Sequence, residues 1–178
     1  MIDEVLSILY FFVPAYVANM APVFFRRMKW FSWPLDFGSK FRGKSLFGEN
    51  KTWRGLILGV FFGMLAFWFQ QWGYAAGFTA WSIIEYTDFH VLLGAAIGFG
   101  ALIGDALESF VKRQRGIPPG KAFVPWDQLD FMLGAMIVSV PYWLPLRTDM
   151  LIALAVIFVL NLLIQKFGYW TGLKKDPL

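Results

Sequence analysis

Residues 89–113 read FHVLLGAAIGFGALIGDALESFVKR, and the way this stretch ends decides the fold. Its first part, 89–103, contains no Asp, Glu, Lys or Arg. A helix needs roughly 20 residues to cross about 30 Å of hydrocarbon. The run therefore reaches spanning length only if the helix continues past Gly104 and carries Asp105 to the edge of the lipid. Four more segments qualify or nearly so: 5–25, 56–72, 131–146 and 151–164. The last two are short and draw on flanking residues. Composition agrees: of 178 residues, 58% are hydrophobic and 20% aromatic, against about 45–50% apolar in ordinary soluble domains. Charged residues amount to 16%, and mean hydropathy is +0.55. A soluble globular enzyme is nearly excluded. The absence of Cys and the single His also exclude thiol catalysis, thiolate metal sites, His-based triads and multi-His metal centres.

The expected fold is all-α, a polytopic membrane bundle of five transmembrane helices in one domain, 1–178. Fifteen of the sixteen Lys and Arg residues fall after the first, third and fifth spans, leaving Arg147 alone on the other side. The positive-inside rule then places those loops and the C-terminus, with Lys174 and Lys175, in the cytoplasm and the N-terminus outside. The acidic leader Met1-Ile2-Asp3-Glu4 is unlike that of a cleavable signal. Small residues Gly59 and Gly63 on the second span and Gly94, Gly98, Ala101 and Gly104 on the third form faces for close helix approach. Packing within one chain explains them at least as well as a homodimer does.

The loop 26–55 holds eight cations and two acids, and loops of this length are usually functional or disordered. A basic juxtamembrane flank attracted to anionic headgroups is the plain reading. Its aromatics and spaced glycines argue instead for a folded segment. Gly48-Glu49-Asn50-Lys51-Thr52-Trp53-Arg54-Gly55 runs into the second span, setting amide, hydroxyl and cationic groups at a helix N-terminus, where backbone N–H groups favour an anion. Gly38-Ser39-Lys40-Phe41-Arg42-Gly43-Lys44-Ser45 matches the Walker A pattern by letter, but that motif works between a buried strand and a helix of an α/β domain. None is expected here. Asn50-Lys51-Thr52 is a formal glycosylation sequon on the side expected to be cytoplasmic.

Asp105, Glu108, Ser109 and Lys112 stand at i, i+3, i+4 and i+7 and share one helical face. Glu108 with Lys112 is adequately explained as a surface i,i+4 pair. Asp105 is not, because an ionisable group at that depth faces a protein interior or a wet cavity. After Pro118-Pro119-Gly120-Lys121 the chain enters its fourth span through Pro125-Trp126-Asp127-Gln128-Leu129-Asp130. Asp127 and Asp130 taken alone read as helix N-terminal acids. With Asp105 at the same level, three aspartates repel one another unless a cation stands between them. An all-oxygen donor set selects Mg²⁺ or Mn²⁺. Metal, an anion-binding loop and no nucleophile or His base together describe phosphoryl-type transfer by positioning and charge neutralisation. A phosphate-monoester acceptor, with a second pKa near 6, would need no base. A cation transporter using Asp105, Glu108, Asp127 and Asp130 as ion ligands is the competing class, although five unequal spans show no repeated halves. A CDP-alcohol phosphotransferase would need an Asp-Gly, and the chain has none.

Gly104-Asp105 with Glu108-Ser109 and Lys112-Arg113, then Gly116-Ile117-Pro118-Pro119, then Pro125-Trp126-Asp127-Gln128-Leu129-Asp130, resembles the signature of membrane phosphatidate cytidylyltransferases. With Pro34-Leu35-Asp36, Phe41-Arg42-Gly43-Lys44 and the 48–55 segment, nearly the whole chain is similar to the archaeal CDP-archaeol synthase family. Larger bacterial relatives carry Gly-His-Gly-Gly before Asp-Arg-x-Asp, where this chain has Phe123-Val124-Pro125-Trp126 before Asp127-Gln128-Leu129-Asp130. The resemblance implies a CTP-dependent transfer to an isoprenoid ether-lipid phosphate, 2,3-bis-O-geranylgeranylglycerol 1-phosphate, with Mg²⁺ required and Mn²⁺ as substitute. It implies that Asp105, Asp127 and Asp130 hold metal and CTP phosphates, with Lys112 among the catalytic groups. Asn50, Lys51, Thr52 and Arg54 would contact nucleotide, and Ser109, Lys112 and Arg113 the triphosphate or lipid phosphate. The implied partners are CTP and membrane lipid, with no nucleic acid, at a plasma-membrane site open to the cytoplasm.

Overall fold

The computed structural model describes residues 2–118, 121–142 and 147–170. Six α-helices carry the described chain: α1 (Ile2–Phe11), α2 (Val13–Phe24), α3 (Trp53–Ala75), α4 (Leu92–Gln114), α5 (Trp126–Ser139) and α6 (Arg147–Trp170). A two-stranded antiparallel hairpin, β1 (Lys40–Phe41) and β2 (Lys44–Ser45), lies between α2 and α3. A 3₁₀ turn, Tyr86–Asp88, precedes α4.

The helix α4 runs unbroken through Gly104 and Asp105 to Gln114, so the expected continuation past the apolar run holds. The first expected span, 5–25, is instead two helices bent by 49°. Pro14 lies in the first turn of α2; it lacks an N–H, and its ring excludes the carbonyl a continuous helix would place there. The fourth expected span begins earlier and ends sooner, as α5, with Asp127 and Asp130 inside the helix. The fifth extends at both ends, as α6. The end of the expected fourth span at 143–146, Pro119, Gly120, Lys174 and Lys175 lie outside the described residues. Among the described helices α3 and α4 are long and apolar enough to cross a membrane, and the bent pair α1–α2 makes a third candidate. Large apolar side chains stand exposed along α3 to α6, among them Phe61, Trp68, Phe69, Leu107, Ile137 and Val159. In water such a surface would be an aggregation liability; against lipid it is the expected one.

Glycines set how closely the helices approach. A Cβ on Gly63 would lie 3.0 Å from the Gly94 carbonyl oxygen and 3.2 Å from the Gly98 Cα, so α3 and α4 meet backbone to backbone. On the other side of α4, a Cβ on Gly100 would stand 2.6 Å from the Gly134 carbonyl oxygen, and one on Gly104 would collide with the carbonyl oxygen of Asp130. The small-residue faces are thus used inside the chain. Gly104 in particular lets α5 press against α4 at Asp130, beside Asp105. Phe11, Phe12, Phe67, Ile97, Met132 and Ile157 fill the core between the helices.

Candidate active site

Segment 26–55 folds as a strap over the C-terminal half of α4. Its organiser is Asp36, whose carboxylate accepts hydrogen bonds from the backbone N–H groups of Gly38 (2.9 Å), Phe47 (2.9 Å) and Gly48 (3.4 Å). Burial opposes ionisation of Asp36, but the N–H groups of Phe47, Gly38 and Gly48 outweigh it and hold the carboxyl below the usual carboxylate range. Arg42 and Gly43 take positive φ, 51° and 78°, at the hairpin turn, the left-handed pair that a two-residue antiparallel hairpin requires. The Walker-like letters are therefore a β-hairpin, with no phosphate loop. The Lys44 ammonium donates to the Gln114 carbonyl at 2.7 Å, a cation on the C-terminal carbonyls of a helix. Residues 31–35 run antiparallel to 51–54, with Leu35 N–H to the Lys51 carbonyl at 2.7 Å and Arg54 N–H to the Phe31 carbonyl at 2.7 Å.

The strap delivers Lys51 to α4. Its Nζ lies 2.5 Å from Asp105 Oδ2. One carboxylate oxygen from each of Asp105, Glu108 and Asp130 falls within 4.8 Å of the others, the arrangement of a metal-binding set among the described residues. Lys112 Nζ sits 2.8 Å from Asp127 Oδ1 and 3.5 Å from Glu108 Oε1. The other Asp127 oxygen accepts the Phe123 N–H at 2.7 Å. The expected trio of Asp105, Asp127 and Asp130 is thus rearranged. Glu108 stands with Asp105 and Asp130, while Asp127 is tied to Lys112. Glu108 is 9% exposed, far from the solvated surface pair its spacing alone suggests. Its place on the Asp105 face was the available signal. The oxygen-only donors suit a hard divalent cation such as Mg²⁺ or Mn²⁺.

The remaining expected residues divide between the site and the strap. Ser109 is buried beside Glu108 on α4. Arg113 packs against Gly48, where an added Cβ would lie 3.9 Å from its Cδ, and its buried Nε has no hydrogen-bond partner among the described residues. Asn50 is exposed on the turn before Lys51. Thr52 instead caps α3, its Oγ1 accepting the Gly55 N–H at 3.2 Å. Arg54, buried, donates to the Met28 carbonyl. Both residues build the loop that carries Lys51.

Beside the carboxylates a cavity of about 470 Å³ opens between α4 and α5. Its lining follows one stripe of α4 from Phe99 through Ile103 and Leu107 to Arg115, faced by Leu133 and Ile137 of α5. Glu108 and Asp130 contribute to the same wall. The Arg115 guanidinium stacks 5.1 Å from the Phe123 ring centroid. An apolar trough thus leads to clustered acids and cations.

Comparison with known proteins agrees with this arrangement. A family described as "CarS-like: CDP-archaeol synthase" matches residues 1–178. The CDP-archaeol synthase of Methanosarcina mazei is 34% identical across 93% of this chain and 99% of its own length. That of Archaeoglobus fulgidus is 35% identical across 99% of both. A solved structure described as "Structural insight into an intramembrane enzyme for archaeal membrane lipids biosynthesis" superposes with a TM-score of 0.71 at 32% identity, covering 88% of this chain and 90% of that one. These likenesses lend the transporter reading no support. With a matching fold, full-length similarity and acids gathered beside an apolar trough, this chain belongs to the CDP-archaeol synthase family.

Proposed function

We propose that this protein is a CTP-dependent cytidylyltransferase that converts 2,3-bis-O-geranylgeranylglycerol 1-phosphate to CDP-archaeol and pyrophosphate. The observation that carries the reading is the juxtaposition of Asp105, Glu108 and Asp130 with Lys51, Lys112 and an apolar trough between α4 and α5. The lipid phosphate oxygen attacks the α-phosphorus of CTP, a P–O bond forms there, and the bond to the β-phosphate breaks to release pyrophosphate. A phosphate monoester is already anionic at pH 7, so no side-chain base is required. A bound Mg²⁺ would supply charge neutralisation for the triphosphate, and Asp105, Glu108 and Asp130 are the residues to hold it. Asp127 holds the Lys112 ammonium toward the same site. Asn50, Lys51, Ser109 and Arg113 are the groups to meet phosphates, while Thr52 and Arg54 act through the fold of the strap. The trough takes isoprenoid chain, with Arg115 at its charged end.

In this reading the whole chain is a single catalytic domain with five spans in the plasma membrane. The N-terminus lies outside, and the strap and carboxylates face the cytoplasm, in keeping with the charge asymmetry of the sequence. The test is pyrophosphate release by purified protein in detergent, supplied with Mg²⁺, the diether phosphate and each of the four NTPs. Release with CTP, dependent on lipid and abolished by chelator, is expected. Folded protein that stays silent with CTP and lipid would sink the proposal.

A further inference from the structure

We infer that Lys51 is a tethered occupant of the carboxylate cluster, an ammonium that a divalent cation displaces and that the nucleotide's phosphates then receive. The inference rests on the cytidylyltransferase reading and deepens it. Three carboxylates within 4.8 Å of one another repel strongly at low dielectric unless a cation stands among them. Two lysines do so. Lys112 is already engaged on the Asp127 side, 2.8 Å from that carboxylate. Lys51, 2.5 Å from Asp105, supplies a single positive charge where a divalent ion would supply two.

The backbone of Lys51 is fixed. Its N–H donates to the Gly48 carbonyl at 3.2 Å, and its carbonyl accepts from Leu35 at 2.7 Å. Its charge is not fixed, because an ammonium on a four-carbon stem swings freely. Lys51 arises from the strap and Asp105 from α4, so exchange requires no movement of either element. It lies just ahead of Thr52, the N-cap of α3, where backbone N–H groups also favour an anion. An ammonium leaving Asp105 needs a new counter-charge, and a triphosphate provides it. The consequence is linkage: metal alone competes with Lys51 and binds weakly, whereas metal and nucleotide together strengthen one another by the same factor.

Full-length protein in detergent, with Mn²⁺ as the probe and free Mn²⁺ read by electron paramagnetic resonance, tests the exchange without turnover. In the absence of nucleotide, Lys51→Met is expected to bind Mn²⁺ about tenfold more tightly than wild type, within the usual range of coupling between sites. Lys51→Arg, which keeps the charge, should stay near wild type. Equal Mn²⁺ affinity in wild type and Lys51→Met overturns the exchange but leaves the cytidylyltransferase reading standing. No Mn²⁺ binding to either protein, with or without CTP, overturns both. Amine acylation followed by mass spectrometry asks the same question of the unmutated chain. Mg²⁺ alone should raise Lys51 labelling several-fold relative to exposed Lys40, and CTP with Mg²⁺ should suppress it. Lys51 labelling unmoved by Mg²⁺ refutes the proposal even where Lys51→Met fails to fold.

Discussion

At the Leu92 end of α4 the bundle is closed by rings. Tyr86, fully buried, packs against Phe67, Tyr10 and Tyr74 with centroids 5.5, 5.8 and 5.9 Å away. Gln71 secures the turn by donating to the carbonyls of Tyr86 (3.0 Å) and Phe89 (2.7 Å). At the Lys112 end of the same helix the neighbours are carboxylates, ammonium groups and a basic strap. Both ends are sheltered, but by different physics. Ring packing is uncharged: it stabilises through close apolar contact, with a modest preference for edge-on and tilted ring geometry. The charged end gathers like charges that resist one another and are held by two lysines and by the approach of α5 over Gly104. One end serves stability, and the other holds a strained arrangement that chemistry can use.

The sharpest way to break that contrast is to remove charge without volume. Asp105→Asn, Glu108→Gln and Asp130→Asn should each lower CTP-dependent pyrophosphate release about 10³-fold, the scale for losing a group that stabilises transferring charge. The unfolding temperatures of Glu108→Gln and Asp130→Asn in metal-free detergent should hold or rise, since repulsion is relieved, whereas Asp105→Asn also loses its ion pair with Lys51. A near-normal rate in Glu108→Gln would return that residue to an ordinary pair with Lys112. At the other end the pattern reverses. Tyr86→Ala should cost about 3 kcal/mol, as large aromatic truncations do, and leave CTP affinity of the folded fraction unchanged. Tyr86→Phe should be close to neutral, because the buried hydroxyl has no partner among the described residues. Isothermal titration with CTP alongside thermal unfolding checks both.

The smallest effect concerns the strap. Asp36→Asn removes the charge that three backbone N–H groups converge upon, at a cost of about 1.5–3 kcal/mol, the scale for hydrogen bonds to a charged group. Limited proteolysis between residues 31 and 50 should accelerate. Because the folded carboxyl titrates below its unfolded value, its contribution is complete above the unfolded pKa of about 3.9. That contribution disappears as pH falls through the folded value. Wild-type strap protection should therefore decline only in acid below about pH 4, and Asp36→Asn should show no such decline.

The carboxylate end was partly readable from spacing alone. The interval of three and four residues placed Asp105, Glu108, Ser109 and Lys112 on one face, and all four lie on the site side of α4. Spacing alone leaves Glu108 readable as a solvated pair with Lys112, because an i,i+4 acid–base pair looks the same on a wet surface and on a helix covered by a strap. The bend at Phe12 is invisible to hydropathy, which counts the apolar run 5–25 as one span, because Pro14 interrupts backbone hydrogen bonding without changing apolarity. Gly100 and Gly134 were missed for a related reason: a glycine's value at a helix crossing depends on what faces it.

Local order along the chain determined the membrane class, the extent of α3 and α4 to within a few residues, the shared face on α4 and the cation-rich strap. These follow from transfer free energy and from a helical period of 3.6 residues, both properties of neighbours in sequence. Only the tertiary structure decided that Glu108 joins Asp105 and Asp130, that Asp127 pairs with Lys112, and that Lys51 reaches Asp105 from a separate element. Those pairings depend on how deeply α5 sinks over Gly104 and where the strap crosses α4, distances that no periodicity encodes.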